Sequence, residues 1–152
     1  MLKLFAILLL CMVNSKAISQ NNNPKYDKAL ADSLGADDYG MKMYVLVILK
    51  TGSNKIESKE KTDSLFSGHM QNINHLAGIG KLVVAGPLQK NEKEYRGIFI
   101  LDVKTIEEAK LLLDTDPAIK AQLLDTELFH WYGSAALPVY LKVHDKVEKS
   151  KF

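Results

Sequence analysis

The side chain best placed to do chemistry in this sequence is His69. Leu65, Phe66, His69, Met70, Ile73, Leu76 and Ala77 recur at spacings of three and four, so they share one face of a helix. A titratable ring therefore sits inside an apolar stripe. It reads either as a satisfied, half-buried core histidine or as a proton-transfer group. His75 falls on the opposite, solvated side with Lys61 and Ser64. The four histidines His69, His75, His130 and His144 are possible metal ligands, but none stand four apart and no HExxH occurs, so no metal site is expected. Arg96, Tyr95, Lys50 and Trp131 fall near strand ends, where they could line a pocket, and Arg96 would suit a substrate carboxylate. Each also reads as an ordinary surface or core residue.

Other chemistries are excluded by missing parts. Cys11 is the sole cysteine and lies in an N-terminal apolar run, so the mature chain has no disulfide, thiolate metal site or cysteine nucleophile. There is no Gly-x-Ser-x-Gly elbow for a serine triad. Gly78-Ile79-Gly80 is too short for a dinucleotide fingerprint and ends a helix rather than opening one. Gly86-Pro87 lacks the lysine and hydroxyl of a phosphate loop. No cofactor is implied.

The chain has 152 residues, enough for one domain with a real core. Lys3, the apolar run Leu4 to Val13 and the small residues Ser15, Ala17 and Ser19 form a secretory signal peptide over residues 1–19, with cleavage preferred before Gln20. The run is too short to span a bilayer. A periplasmic or secreted protein with no membrane attachment after cleavage is expected. Removing Lys3 and Lys16 leaves 18 basic against 18 acidic residues. With no net charge and no basic block, nucleic-acid binding has no electrostatic footprint.

Elements must position these residues. Residues 20–40 read as a polar linker and a short helix capped by Gly35. Met43 to Leu49 is an apolar strand. The His69 helix follows and is stopped by Gly78 and Gly80, since a left-handed turn residue costs glycine nothing. Leu82 to Ala85 shows no alternation, as expected of a strand covered on both faces or placed centrally, and Gly86-Pro87 stops it. Tyr95 to Val103 is the next strand. Thr105-Ile106-Glu107-Glu108 matches a capping box for a helix through Leu113. Asp116-Pro117 signals another helix start. Glu127 to Tyr132 is the last core strand, with Leu128, His130 and Tyr132 on one side and Phe129 and Trp131 on the other. Val139, Leu141 and Val143 alternate with Tyr140, Lys142 and His144, a marginal edge strand. The core, residues 41–137, thus runs β-α-β-β-α-β, the ferredoxin-like α+β pattern, with a C-terminal extension at 138–152. The sheet offers apolar side chains to both faces. Either a second copy packs sheet to sheet, or the terminal segments fold across.

Gly68-His69-Met70, Gly80-Lys81-Leu82-Val83, Ala85-Gly86-Pro87-Leu88, Arg96-Gly97-Ile98, Glu107-Glu108-Ala109 and Asp116-Pro117-Ala118-Ile119-Lys120-Ala121 together resemble the YCII-related (YciI-like) proteins. The exported members are most similar, through Gly35-Ala36-Asp37 and Trp131-Tyr132-Gly133-Ser134-Ala135-Ala136-Leu137. The resemblance implies a dimeric α+β barrel and a proposed catalytic pair, His69 and Asp116. Relatives of similar fold include muconolactone isomerases and chloromuconolactone dehalogenases, which transfer protons next to a carbonyl. One departure is visible: Gln122 stands where the family usually has glycine.

The resemblance leaves three expectations. The first is a cofactor-independent isomerase or lyase acting on a small carbonyl or lactone compound, with His69 as acid or base and Asp116 orienting it. The second is a non-catalytic small-molecule-binding module, with Arg96, Tyr95 and Trp131 as candidate ligand contacts. The third is a purely structural domain, in which His69→Leu is neutral or stabilising.

Overall fold

A computed structural model describes residues 23–144 and 146–150. The expected signal peptide, Cys11 and the first linker residues lie outside them. The described elements are α1 (Lys28–Leu34), β1 (Met41–Thr51), α2 (Lys59–Gly78), β2 (Leu82–Pro87), β3 (Tyr95–Leu101), α3 (Ile106–Leu113), α4 (Pro117–Lys120), β4 (Leu124–Ser134), a 3₁₀ turn (Leu137–Tyr140) and α5 (Leu141–His144). The four strands form one antiparallel sheet in the order β2-β3-β1-β4, consistent with a ferredoxin-like fold.

β1 lies between β3 and β4, and both of its faces are covered in part, which is why its apolar run does not alternate. Val45, Val47 and Leu49 face Leu76 of α2, Ala109 and Leu113 of α3 and Ala118 of α4 in one core cluster. The three helices therefore pack on the same face of the sheet. The residues between them on β1 point the other way: Tyr44 and Leu46 join Val83, Ile100, Trp131 and Leu137 in a smaller cluster.

Local signals set the helix ends. The Ser58 side chain accepts from Lys61 N–H at 3.2 Å, and Thr105 accepts from Glu108 N–H at 3.1 Å. Gly80, at φ +71°, reverses the chain after α2 so that Lys81 N–H donates back to the Leu76 carbonyl at 2.8 Å. No helix among the described residues is long and apolar enough to cross a membrane.

Two expectations are corrected. β2 is covered on both faces at its start, where Leu82 and Val83 join opposite clusters, but it is an edge strand rather than a central one, and it continues to Pro87, which pairs opposite Gly97. An edge tolerates proline because one side of the strand needs no ladder donor. The segment from Val139 to His144 is no strand either: Leu137–Tyr140 is a 3₁₀ turn and Leu141–His144 a helical turn. Pro138 at the start of that turn has a φ suited to a helix and no N–H to give a ladder, and this outweighs a short alternation.

Candidate functional site

The site begins with a close approach of two helices. Gly68 lies in α2 against Pro117 of α4: a Cβ at residue 68 would come within 2.8 Å of the Pro117 ring. With only hydrogen there, α4 can lie against α2 next to His69. α4 is a four-residue helix whose start is set by Asp116 and Pro117. Asp116 Oδ1 accepts from Ala118 N–H at 2.9 Å and Ile119 N–H at 3.3 Å. This capping satisfies two of the free donors at the helix start and fixes the carboxylate plane.

The other oxygen, Oδ2, then faces His69. Its distance from His69 Nδ1 is 2.6 Å, a close contact at the short end for a hydrogen bond to a carboxylate. Asp116 is 0% and His69 7% exposed. The carboxylate needs a donor, so Nδ1 carries the proton. In the neutral ring Nε2 is then the free base. His69 is further held by its neighbours: it stacks on Phe99 with centroids 5.8 Å apart and meets Phe66 edge-on at 6.2 Å. Asn72, one turn along α2, places Nδ2 3.5 Å from Asp116 Oδ2, and Thr115 Oγ1 lies 2.9 Å from Asn72 Oδ1.

His69 lines a cleft of about 850 Å³ between α2 and the β2 side of the sheet. This is within the usual size range for small-molecule sites. Leu49, Phe66, Ile73, Leu82 and Phe99 supply its apolar wall. No sealed side-chain nitrogen or oxygen among the described residues lacks a partner. Nε2 has no hydrogen-bond partner among the described residues, so it is not sealed away and keeps its access to the cleft. The arrangement can take a proton from, or return one to, a molecule lying in the cleft.

The remaining candidates separate. Arg96 borders the cleft, and no described carboxylate pairs with its guanidinium. Trp131 does not reach it: its ring lies 5.6 Å from Tyr44 on the sheet face away from the helices. Tyr95 is also outside it, with its hydroxyl 3.5 Å from Glu127 Oε2, but it shares with Arg96 a second, smaller cleft of about 420 Å³ next to Pro87 and Leu88. Lys50 pairs with Glu127 at 2.9 Å, and that hydrogen bond holds its ammonium above the ordinary lysine value. Sequence reasoning missed Asn72, although its spacing of three from His69 puts both on one helix face. It also missed Tyr140, Leu141 and His144, which border the cleft, because it read that segment as a strand. Among the described residues no three histidine, aspartate or glutamate side chains converge as a metal would require.

Comparison with known proteins gives a family and a fold likeness. The model of the YCII-related domain matches residues 43–132. A search of curated proteins found no match. A solved structure that matches is 5-chloro-2-hydroxyhydroquinone dehydrochlorinase (TftG) from Burkholderia phenoliruptrix AC1100, in complex with 2,5-dihydroxybenzoquinone. It is 20% identical, covers 57% of this chain and 92% of its own, and has a TM-score of 0.41.

Proposed function

This chain belongs to the YCII-related domain family, and from that premise we propose a cofactor-independent proton-transfer enzyme acting on a small carbonyl or lactone compound. The observation that carries the reading is the 2.6 Å contact of His69 Nδ1 with a buried, helix-capping Asp116, with Nε2 left facing an apolar cleft. Asp116 orients the ring and balances the charge it gains. Nε2 takes a proton from the carbon next to a carbonyl, and the bonding pair moves into the enolate. The imidazolium returns the proton to another carbon, giving an isomer, or the enolate expels a leaving group with its bonding pair and the imidazolium passes its proton to that group or to water, giving an elimination. Arg96 holds a substrate carboxylate at the cleft mouth.

The test is a screen of small lactones and enolisable acids with the wild-type chain and His69→Gln. A proton-transfer role predicts a drop in kcat of about 10²–10⁴. Unchanged turnover of a substrate so found removes His69 from the mechanism. Ligand binding without product, unaffected by His69→Gln, identifies a binding module instead.

Two further parts of the reading concern assembly and location. A homodimer packed sheet to sheet accounts for the apolar side chains Leu46, Ile48, Ile98 and Trp131, which are only partly buried, and for Phe129, which is 50% exposed on a strand face away from the helices. Sedimentation of the mature chain at twice the monomer mass supports it, and a monomer rejects it. Export to the periplasm or medium rests on the signal-like residues 1–19, and N-terminal sequencing of the processed protein tests it.

A further inference from the structure

The family match ends at residue 132, but the cleft does not. After β4 the chain crosses the sheet face away from the helices, where Leu137 packs with Tyr44, Val83 and Ile100, and reaches β2 at the opposite edge. Val83 falls in the irregular part of β2, between the paired residues Leu82 and Val84, and the Tyr140 hydroxyl donates to its carbonyl. Burial pushes the Tyr140 phenol up from its ordinary value, so this donor stays protonated. The anchor brings Leu141 and His144 to the cleft that holds His69. Tyr140 meets the His144 ring edge-on, with centroids 6.4 Å apart, and His144 Nε2 lies 3.8 Å from Glu148 Oε2. The cleft thus carries two histidines, each facing a carboxylate. One is locked between helix and sheet, whereas the other is 53% exposed and belongs to the C-terminal extension.

We propose that the C-terminal extension is part of the ligand site and that His144 is a second ligand-contacting imidazole, which donates a hydrogen bond to a small planar organic acid in the cleft. The proposal rests on reading the cleft as a small-molecule site. Its chemistry follows from the walls. Phe66, half-buried in the cleft wall, offers an aromatic surface to a planar body, and Phe99 backs the His69 ring from behind. Arg96 and His144 place nitrogen donors at the cleft border, and neither Arg96 nor the His144 ring is needed to anchor the extension, which the Tyr140 hydroxyl holds by the backbone of β2. An exposed imidazole 3.8 Å from its carboxylate is too far for a direct hydrogen bond, so it can turn to a ligand at little cost.

Benzoate titrated into the full chain, with ¹⁵N-labelled histidines followed by NMR, tests this. The four rings act as their own controls, because His75 and His130 do not line the cleft. The expected result is saturable movement of the His69 and His144 signals with one common Kd, and still His75 and His130 signals. In the same chain His144→Gln should weaken benzoate at least about fivefold, and His75→Gln should not. Movement of His69 alone, or an unchanged Kd in His144→Gln, overturns the role of the extension and leaves the His69 cleft standing. Movement of neither ring rejects the cleft as a site for such acids, and the proposal with it.

Discussion

The two oxygens of Asp116 do different things: Oδ1 caps α4 through Ala118 and Ile119, and Oδ2 meets His69 Nδ1 across 47 residues of sequence. A residue that looks like a helix cap and a residue that looks like a catalytic partner are here the same carboxylate. The cap itself aims Oδ2, because two backbone donors fix the plane of the group.

This sharing predicts how substitutions rank. Asp116→Asn keeps a good cap but loses the negative charge. Asp116→Ala loses a cap worth about 1 kcal/mol and leaves a buried imidazole donor unpaired, at about 1–3 kcal/mol. Urea unfolding should therefore place Asp116→Ala below Asp116→Asn and both below wild type. His69→Leu, neutral in a purely structural domain, is instead expected to cost about 3 kcal/mol, because it strands a fully buried carboxylate. A neutral result would favour the purely structural domain.

The tautomer is a separate prediction. Long-range ¹H–¹⁵N spectra of the neutral protein should show His69 protonated at Nδ1 and unprotonated at Nε2, and Asp116→Ala should mix the two forms. A neutral ring protonated at Nε2 would contradict the hydrogen bond to Asp116.

Gly68→Ala probes the helix contact that makes the pair possible. The added methyl gains up to about 1 kcal/mol in helix propensity. It also drives into the Pro117 ring, and overpacking of that kind costs about 1–3 kcal/mol. The net expectation is a less stable protein in which α4 shifts and the His69 ring signal moves. An unchanged ring signal with raised stability would show that α4 can yield freely.

Gln122 has φ +56°, a left-handed conformation disfavoured for a residue with a side chain. This is the position where the family resemblance led to an expectation of glycine. The short helix α4 ends at Lys120, and the Gln122 carbonyl accepts from Asn54 N–H at 3.0 Å. The chain therefore makes a left-handed turn with a side chain in place and carries the strain. Gln122→Gly should raise stability by about 1 kcal/mol, the strain relieved being partly offset by the freer unfolded chain. Thermal or urea unfolding measures it.

High pH should loosen the fold. Burial, then the charge of Asp102, pushes the Tyr44 phenol up to about 12, and the hydrogen bond to Asp37 chiefly does the same for Tyr132. Their ordinary value is near 10. The folded state keeps these phenols neutral while the unfolded chain ionises them. Their stabilisation is thus complete below pH 10 and is lost as pH rises from there towards 12. Urea midpoints measured across that window should fall, and phenolate absorbance should show these tyrosines titrating late. Ordinary titration of all six would reject the environments described for them.

Local order was legible without coordinates. The stripe around His69, the caps Thr105 and Asp116, the αL turn at Gly80 and the strand sequence all rest on interactions within a few residues, so period and residue type report them directly. The alternation of Trp131 and Phe129 with Leu128 was legible too. What local pattern cannot report is which surface meets which. It did not show that Trp131 faces away from α2, since one-residue steps alternate faces without naming the covered one. It did not place β2 at an edge, or turn the residues after Gly133 into a wall of the cleft. The meeting of His69 with Asp116 was implied by family likeness alone until the packing of α4 against Gly68 made it a contact. Such long-range contacts depend on whole surfaces fitting together, and only the folded chain decides them.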